Sequence, residues 1–382
     1  MKKVFSLLSG VLFAFSLFFI SCDDNEVVQD TSICNVTVHN SGYGGVEILN
    51  YIGKSVDVVI GDEVTVVATP YDESDFLGWF IGDDETSVTA DSIYTFVVTE
   101  SVDLTAKFSK SVVTICSAGY GSVSFKDSTD SLLVVLPGTE VTAVATPHAD
   151  CEFIGWFAGD KTPVCADAEY TFIVEEDAVL TAQFAPLPIN GYEWVGLGLP
   201  SGVKWATCNV GALTPEGYGG YYAWGETEEK NVYDWSTYKL CSGNQYALTK
   251  YSTNSSYGVV DDKTVLEPED DVARAKLGER WRVPTLEEQQ ELLDCCVWQW
   301  TALNGVNGYK VTGPSGYSIF LPAAGNRYGA EVYGRGEHGN YFSSSLSSYG
   351  CNAACYMLFG NGNRNWGSSP RYYGYSVRPV CK

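Results

Sequence analysis

Histidine is scarce in this chain. Only His39, His148 and His338 occur among 382 residues, and no two stand at a short metal-ligand spacing. A His-based zinc site and a Ser-His-Asp triad therefore lack their parts, which disfavours hydrolytic catalysis. Basic side chains are also in short supply, with 23 Lys and Arg against 47 Asp and Glu for a net charge of −24. A chain this acidic lacks the positive footprint that phosphate backbones need, which excludes nucleic acid as a partner. An anionic membrane surface repels it for the same reason. After Ile20 no apolar run is long enough to cross a bilayer. The spacing of a dedicated calcium loop is missing too. Paired acids such as Asp261-Asp262 and Glu287-Glu288 read as solvated faces, so no catalytic residue, metal ligand or cofactor is assigned from these patterns.

What is present is unevenly distributed. Residues 34–109 hold 13 acids and 2 bases, residues 111–186 hold 11 and 2, and residues 187–382 hold 19 and 16. The N-terminal half is an acidic spacer, and the C-terminal half is nearly balanced. Length suggests two to three domains, and 45% hydrophobic content with 14% aromatics is ample for packed cores.

The chain begins with Lys2 and Lys3, an apolar run from Val4 to Ile20, the small residue Ser21, then Cys22 followed by Asp23, Asp24 and Glu26. This arrangement resembles a bacterial lipoprotein signal peptide over residues 1–21. The resemblance implies that Cys22 is acylated and becomes the mature N-terminus, so that the membrane is contacted through lipid. The acids in the tether, residues 22–33, also resemble the export signal of Bacteroidota surface lipoproteins. That resemblance implies an outer-membrane, lipid-anchored protein exposed at the cell surface. Of twelve cysteines, lipid takes one and leaves an odd number, most of which an oxidising compartment should pair.

Residues 34–109 and 111–186 are two copies of one unit. Gly42-Tyr43-Gly44 recurs at Gly119-Tyr120-Gly121, Thr69-Pro70 at Thr146-Pro147, and Gly78-Trp79-Phe80 at Gly155-Trp156-Phe157, all at an offset of 77. Tyr94-Thr95-Phe96 and Leu104-Thr105-Ala106-Lys107-Phe108 return at an offset of 76, so one residue is deleted between. Alternation such as Val64, Val66 and Ala68 against Glu63, Thr65 and Val67 predicts short antiparallel strands. Trp79 and Trp156, inside Gly-Trp-Phe, read as core residues rather than sugar-stacking ones. Cys151 and Cys165 flank the second Gly-Trp-Phe hairpin, and their placement suggests a cross-strand disulfide. The signature Gly-x-Val, Gly-(Asp/Thr)-Glu-Val-Thr, Ala-Thr-Pro, Gly-Trp-Phe and Leu-Thr-Ala-x-Phe resembles the divergent internalin-B-type B-repeat. That family implies two small β-grasp-like modules serving as a stalk or a low-affinity contact.

After Ala185-Pro186-Leu187-Pro188 the composition shifts to Gly, Tyr, Ser and Asn, marking a third domain over residues 187–382. Short strands dominate it. Thr285 with Glu288 forms a capping-box signature that opens a helix, with Leu286, Gln290, Leu293 and Val297 as its expected buried stripe. A shorter helix is expected over Asp270 to Leu277. Trp205-Ala206-Thr207-Cys208-Asn209-Val210-Gly211, Tyr222-Ala223-Trp224-Gly225-Glu226, Trp281-Arg282-Val283-Pro284-Thr285, Ile319-Phe320-Leu321-Pro322-Ala323-Ala324-Gly325 and Gly374-Tyr375-Ser376-Val377-Arg378-Pro379-Val380-Cys381 together resemble the Fibrobacter succinogenes major paralogous domain. The resemblance implies an α+β, C-type-lectin-like fold of the sulfatase-modifying-factor branch, so the fold class expected for the whole chain is mainly β. It brings no settled activity.

Cysteines of this domain are further disulfide candidates: Cys208 with Cys381, Cys241 with Cys295 or Cys296, and Cys351 with Cys355. The last pair also resembles the copper-binding pair of formylglycine-generating enzymes, and soft thiolates suit Cu(I). That gives a rival reading as a copper enzyme or its relic. Ligand-binding candidates are aromatic, amide and guanidinium residues near the last strands: chiefly Asn326, Arg327, Tyr333, Arg335, Asn363, Arg364, Trp366, Tyr372 and Tyr373, with Tyr328, His338, Tyr341, Asn361, Asn365 and Arg371 beside them. Rings stack on sugar faces while amides and guanidinium bond hydroxyls. The expected function is a lectin-like domain held on an acidic two-module stalk to bind a glycan or a surface protein. A structural subunit of a surface assembly is the remaining alternative.

Overall fold

The computed structural model describes residues 32–82, 86–159 and 162–382. The signal segment, Cys22 and nearly all of the tether lie outside the described residues. The described chain is mainly β, with two short α-helices. No helix among the described residues is long and apolar enough to cross a membrane. By internal contacts the chain divides into two units, one holding residues up to Val113 with 132–140 and 173–178, the other residues 114–131, 141–172 and 179–382.

In the first unit, β1 (Ile33–Ser41), β2 (Gly44–Ile48), β3 (Ser55–Val59), β4 (Glu63–Pro70), β5 (Phe76–Ile81), β6 (Ile93–Val97) and β7 (Val102–Phe108) form the first repeat. The alternation in β4 works as expected, with Val64, Val66 and Ala68 buried and Glu63, Thr65 and Val67 turned outward. Two sheets result, ordered β3-β1-β7-β5 and β2-β4-β6. β1 and β7 run parallel, with Val38 opposite Leu104. Val36 and Val38 of one sheet meet Val64 and Val66 of the other around Trp79, which is fully buried. No helix stands among the described residues of this repeat. The covering layer that a β-grasp draws from its helix is supplied here by the second sheet. The turn between β1 and β2 is fixed by Asp177, whose carboxylate accepts the backbone N–H of Gly42 at 2.7 Å and that of Val112 at 2.7 Å. Gly42 has φ +95°, and a Cβ there would lie 2.6 Å from the Lys110 carbonyl oxygen. The turn therefore requires glycine.

The second repeat contains β8 (Ser111–Ala118), β9 (Gly121–Phe125), β10 (Leu132–Val135), β11 (Thr139–Pro147), β12 (Cys151–Ala158), β13 (Thr162–Cys165), β14 (Glu169–Val174) and β15 (Ala178–Pro186). Its register reproduces the first. Val123 stands opposite Ala145 as Val46 stands opposite Ala68, and Trp156 stands opposite Ala182 as Trp79 stands opposite Ala106. Within the second unit this repeat is docked on the C-terminal domain. Asp150 accepts both terminal nitrogens of Arg280, at 2.7 and 2.6 Å, and the Lys204 ammonium at 2.6 Å. Tyr120 stacks on Tyr317 at 4.9 Å and meets the edge of Trp194 at 5.1 Å, while its hydroxyl accepts the Gly196 N–H.

Arg280, and after it Lys204, hold the Asp150 carboxyl well below the usual carboxylate range. A folded-state pKa lowered in this way contributes stability that is present above the unfolded carboxylate pKa of about 4 and fades as pH falls towards the lowered value. Acid unfolding of the full chain followed by tryptophan fluorescence should therefore show a loss of stability below about pH 4 that Asp150→Asn removes in part. Parallel acid curves for the two proteins would refute the linkage. The effect at neutral pH should be only about 1 kcal/mol, because Arg280 is 45% exposed and screened.

The C-terminal domain contains β16 (Trp194–Gly196), β17 (Lys204–Ala206), α1 (Val272–Leu277), β18 (Trp281–Arg282), α2 (Leu286–Cys295), β19 (Val297–Leu303), β20 (Val306–Thr312), β21 (Ser318–Pro322), β22 (Asn326–Tyr328), β23 (Glu331–Tyr333), β24 (His338–Leu346), β25 (Ala353–Gly360), β26 (Asn363–Pro370) and β27 (Val380–Cys381). Its first and last strands meet in the sheet β16-β17-β27-β18, beside the sheets β19-β20-β21 and β24-β25-β26. Both helices start as their caps predict, with Asp271 accepting the Arg274 N–H and the Thr285/Glu288 box complete. The buried face of α2 differs from the expected stripe. Glu288, Gln289 and Leu292 are buried, Gln290 is exposed, and Val297 lies beyond the helix in β19. Two of the three buried positions are polar because they have partners. Glu288 pairs with the Arg282 guanidinium, and the Gln289 amide donates to the carbonyls of Tyr341 and Phe342.

Candidate functional site

The chief ligand candidates fall on two surfaces. β22 and β23 form a two-stranded ribbon with Arg327 opposite Val332. The ribbon is pinned to the chain after β26 by reciprocal backbone bonds between Arg327 and Gly374 at 2.8 and 3.0 Å. A Cβ at Gly374 would lie 2.6 Å from the Tyr233 ring, so only glycine allows this approach. The ribbon thereby brings Tyr328 onto Tyr373 at 5.3 Å, and Tyr373 stacks on Tyr372 at 4.9 Å. Tyr333 flanks Tyr328 at 6.5 Å, and Trp235 buttresses Tyr372 edge-on at 5.0 Å. Tyr328 and Tyr333 are each 47% exposed. Burial pushes the Tyr372 hydroxyl above its ordinary pKa, so that hydroxyl stays neutral across physiological pH. Tyr328, which the sequence places beside the nine chief candidates, lies at the centre of the stack.

The arginines beside the platform serve the scaffold. Arg327 donates to the carbonyls of Lys230 and Ala330 and lies over the Tyr233 ring. Arg335 donates to the Tyr221 hydroxyl at 3.2 and 3.0 Å and covers Tyr218. Asn326 contacts the His338 ring at 3.3 Å. Asn363, Arg364 and Trp366 are elsewhere. Gly360 stands opposite Asn363 and Ala353 opposite Pro370, so these three occupy the tip of the β25–β26 hairpin while Tyr372 and Tyr373 follow its other end. From Asn363 to Pro370 the strand rises by seven residues, roughly 23 Å.

Two guanidinium groups are buried, and one of them, Arg371, is offered by the sequence as a binding residue, a reading its burial corrects. Arg371 is fully buried, donating to the Tyr238 hydroxyl and to the carbonyls of Tyr251, Cys351 and Lys250, within a cage of Trp224, Tyr238 and Tyr251. Arg378 donates to Asn209 and to the carbonyls of Ala206 and Phe320. Neither faces a carboxylate. Their role is to tie long loops together through backbone oxygens, which matches a charged group to partial charges where an acid would bring a second burial cost. Glu267, Glu269 and Asp270 converge closely enough to hold a cation, but Lys250 bridges all three at 2.6, 3.0 and 2.5 Å. Its ammonium takes the place a metal would occupy.

The expected disulfides are not formed. All eleven cysteines among the described residues are free thiols. Register explains the main corrections. Cys151 stands opposite Pro186 and Cys165 opposite Trp156, five residues along the strand, or roughly 17 Å, from the place a partner of Cys151 would need. Cys381 stands opposite Lys204, four residues and roughly 13 Å short of Cys208. Cys241 donates to the carbonyl of Trp235 instead of meeting Cys295 or Cys296, and burial raises the Cys296 thiol to about 11. Cys351 and Cys355 turn to different partners. Burial works against the Cys351 thiolate, but the hydroxyl and amide of Thr253 outweigh it and lower its pKa, whereas burial raises that of Cys355, which donates to the Leu346 carbonyl. The copper-pair reading gains no support from this arrangement.

No curated protein matches the chain. A solved structure that does match is the major pilin from Streptococcus pyogenes, N168A mutant, at 5% identity over 41% of this chain and 98% of that one, with a TM-score of 0.14. Similarity that low carries no argument about fold or function. Family models match residues 34–112 and 111–188 to the divergent InlB B-repeat domain. The N-terminal duplication is therefore a tandem pair of divergent InlB B-repeat domains, spanning residues 34–188.

Proposed function

We propose that this is an exported surface protein, tethered by lipid on Cys22, whose B-repeat domains carry a C-terminal domain that binds extracellular glycan chains. The observation that carries the reading is the stacked face of Tyr328, half-exposed on the ribbon, with the partly buried Tyr372 and Tyr373 of the chain to which Gly374 pins that ribbon. Stacked rings on a rigid frame offer apolar area at small entropic cost, and their hydroxyls accept and donate hydrogen bonds along a polar polymer. The acidic repeats suit a spacer, since like charge keeps them soluble and apart from an anionic surface.

One experiment in the native host tests anchor and binding together. Cells expressing the full chain should bind polysaccharides on a glycan array. Tyr328→Ala with Tyr373→Ala should lower that binding at least about tenfold, equivalent to about 1.4 kcal/mol, at unchanged surface display. Cys22→Ser should release the chain from the membrane fraction. A silent array, with a protein captured by cross-linking at the same tyrosines, would replace the glycan by a protein partner. Retention of the Cys22 variant in membranes would refute the lipid anchor.

A further inference from the structure

Where the β25–β26 hairpin tip meets the end of α2, an open depression of about 470 Å³ is lined by Gln290, Asp294, Asn363, Arg364, Asn365 and Trp366. This is within the size range of small-ligand sites. Several of its polar groups are unengaged. Six of the eight arginines, Arg280, Arg282, Arg327, Arg335, Arg371 and Arg378, hydrogen-bond to other parts of the protein. Arg364 makes no hydrogen bond or ion pair with any described residue, and its guanidinium is held only by the Trp298 ring at 5.7 Å. Asp294 lines the same depression yet is not paired with Arg364 or any other base among the described residues. The side-chain amide of Gln290 and the indole N–H of Trp366 are likewise without a protein partner there. The side-chain oxygens of Asn363 and Asn365 are used locally, accepting the N–H of Gly360 and of Trp366, which fixes both side chains and leaves their NH₂ groups pointing away from those bonds.

We infer that this depression is a second carbohydrate subsite, taking a single uncharged pyranose unit. A carboxylate and a guanidinium that share a concavity without pairing leave room between them for a group that donates to one and accepts from the other. A sugar hydroxyl does both. Trp366, half-buried at the edge, supplies an aromatic wall for the ring C–H face, and the amides complete a hydroxyl-binding set. Trp298 beneath Arg364 holds the guanidinium in place, so that less entropy is lost when it binds. The inference rests on reading the domain as glycan-binding, and it places a sugar at the hairpin tip, away from the tyrosine platform.

Saturation-transfer NMR on the full chain with a panel of free methyl pyranosides provides the test, with free amino acids as controls. At least one pyranoside should receive saturation at its ring protons. In the Tyr328→Ala, Tyr373→Ala background, which removes the platform, the signal should persist at reduced strength, Trp366→Ala should then abolish it, and Asp294→Asn should weaken the remaining affinity at least about tenfold. Urea unfolding of each variant confirms that the fold is retained. The subsite is refuted if no pyranoside receives saturation once Tyr328 and Tyr373 are replaced, if the signal in that background survives Trp366→Ala, or if amino acids alone bind between Asp294 and Arg364. Polysaccharide binding that depends on Tyr328 and Tyr373 while the monosaccharide experiment fails would refute the subsite and leave the platform standing. A silent glycan array with monosaccharide binding at Trp366 would do the reverse.

Discussion

Replacing Arg371 by alanine is expected to destabilise the C-terminal domain by roughly 3–5 kcal/mol, the largest effect of any single polar substitution there. Three buried carbonyls, those of Lys250, Tyr251 and Cys351, have the guanidinium as their partner. Each orphaned acceptor costs roughly 1–3 kcal/mol. The cavity left among Trp224, Tyr238 and Tyr251 adds to the loss, and relief of the buried charge subtracts from it. Arg371→Lys should recover less than half of the deficit, because an ammonium cannot reach three carbonyls and a hydroxyl in one plane. Urea unfolding monitored by near-UV circular dichroism measures both variants. A loss under about 1 kcal/mol for Arg371→Ala would mean that water replaces the guanidinium without penalty.

The second large effect concerns the paired tryptophans of the repeats. Trp79→Ala and Trp156→Ala should each cost roughly 3–5 kcal/mol, since both rings are completely buried. Phenylalanine separates the two sites. The Trp156 indole donates to the Ala168 carbonyl at 3.3 Å, whereas the Trp79 indole nitrogen is buried without a partner. Trp79→Phe removes an unsatisfied donor and should be milder by about 1 kcal/mol than Trp156→Phe, which gives up the indole hydrogen bond to a carbonyl that still accepts the Ala145 N–H. Denaturant midpoints of the two phenylalanine variants in the full chain decide the matter, and equal losses would contradict it.

Features governed by local periodicity could be read in the sequence. The alternation through Val64, Val66 and Ala68, the shared offsets of the repeats and the Thr285/Glu288 box each depend on neighbours a few residues away. The arrangement of long-range partners could not. Arg371 reads as a binding residue and Arg378 as part of the closing motif, because nothing in their neighbourhood announces that distant carbonyls will surround them. Glu288 and Gln289 conceal the buried face of α2 for the same reason. Cysteine spacing carries no connectivity, and strand register moved Cys151 away from Cys165. The nine chief ligand candidates formed one group in sequence, but the length of the β25–β26 hairpin separates them into a tyrosine platform and a tip. Tyr328 gained its central place only through the pairing of its ribbon with Gly374.

The Gly-Tyr-Gly turn serves both repeats in the same way. In one unit the turn at Gly42 is gripped by Asp177, and in the other the turn at Tyr120 receives Tyr317, Trp194 and Gly196. Each copy thus carries its own coupling for whatever follows it in the polypeptide. Gene duplication in register would deliver a new segment already equipped to attach, so reach could lengthen by whole increments while the business end stays unaltered.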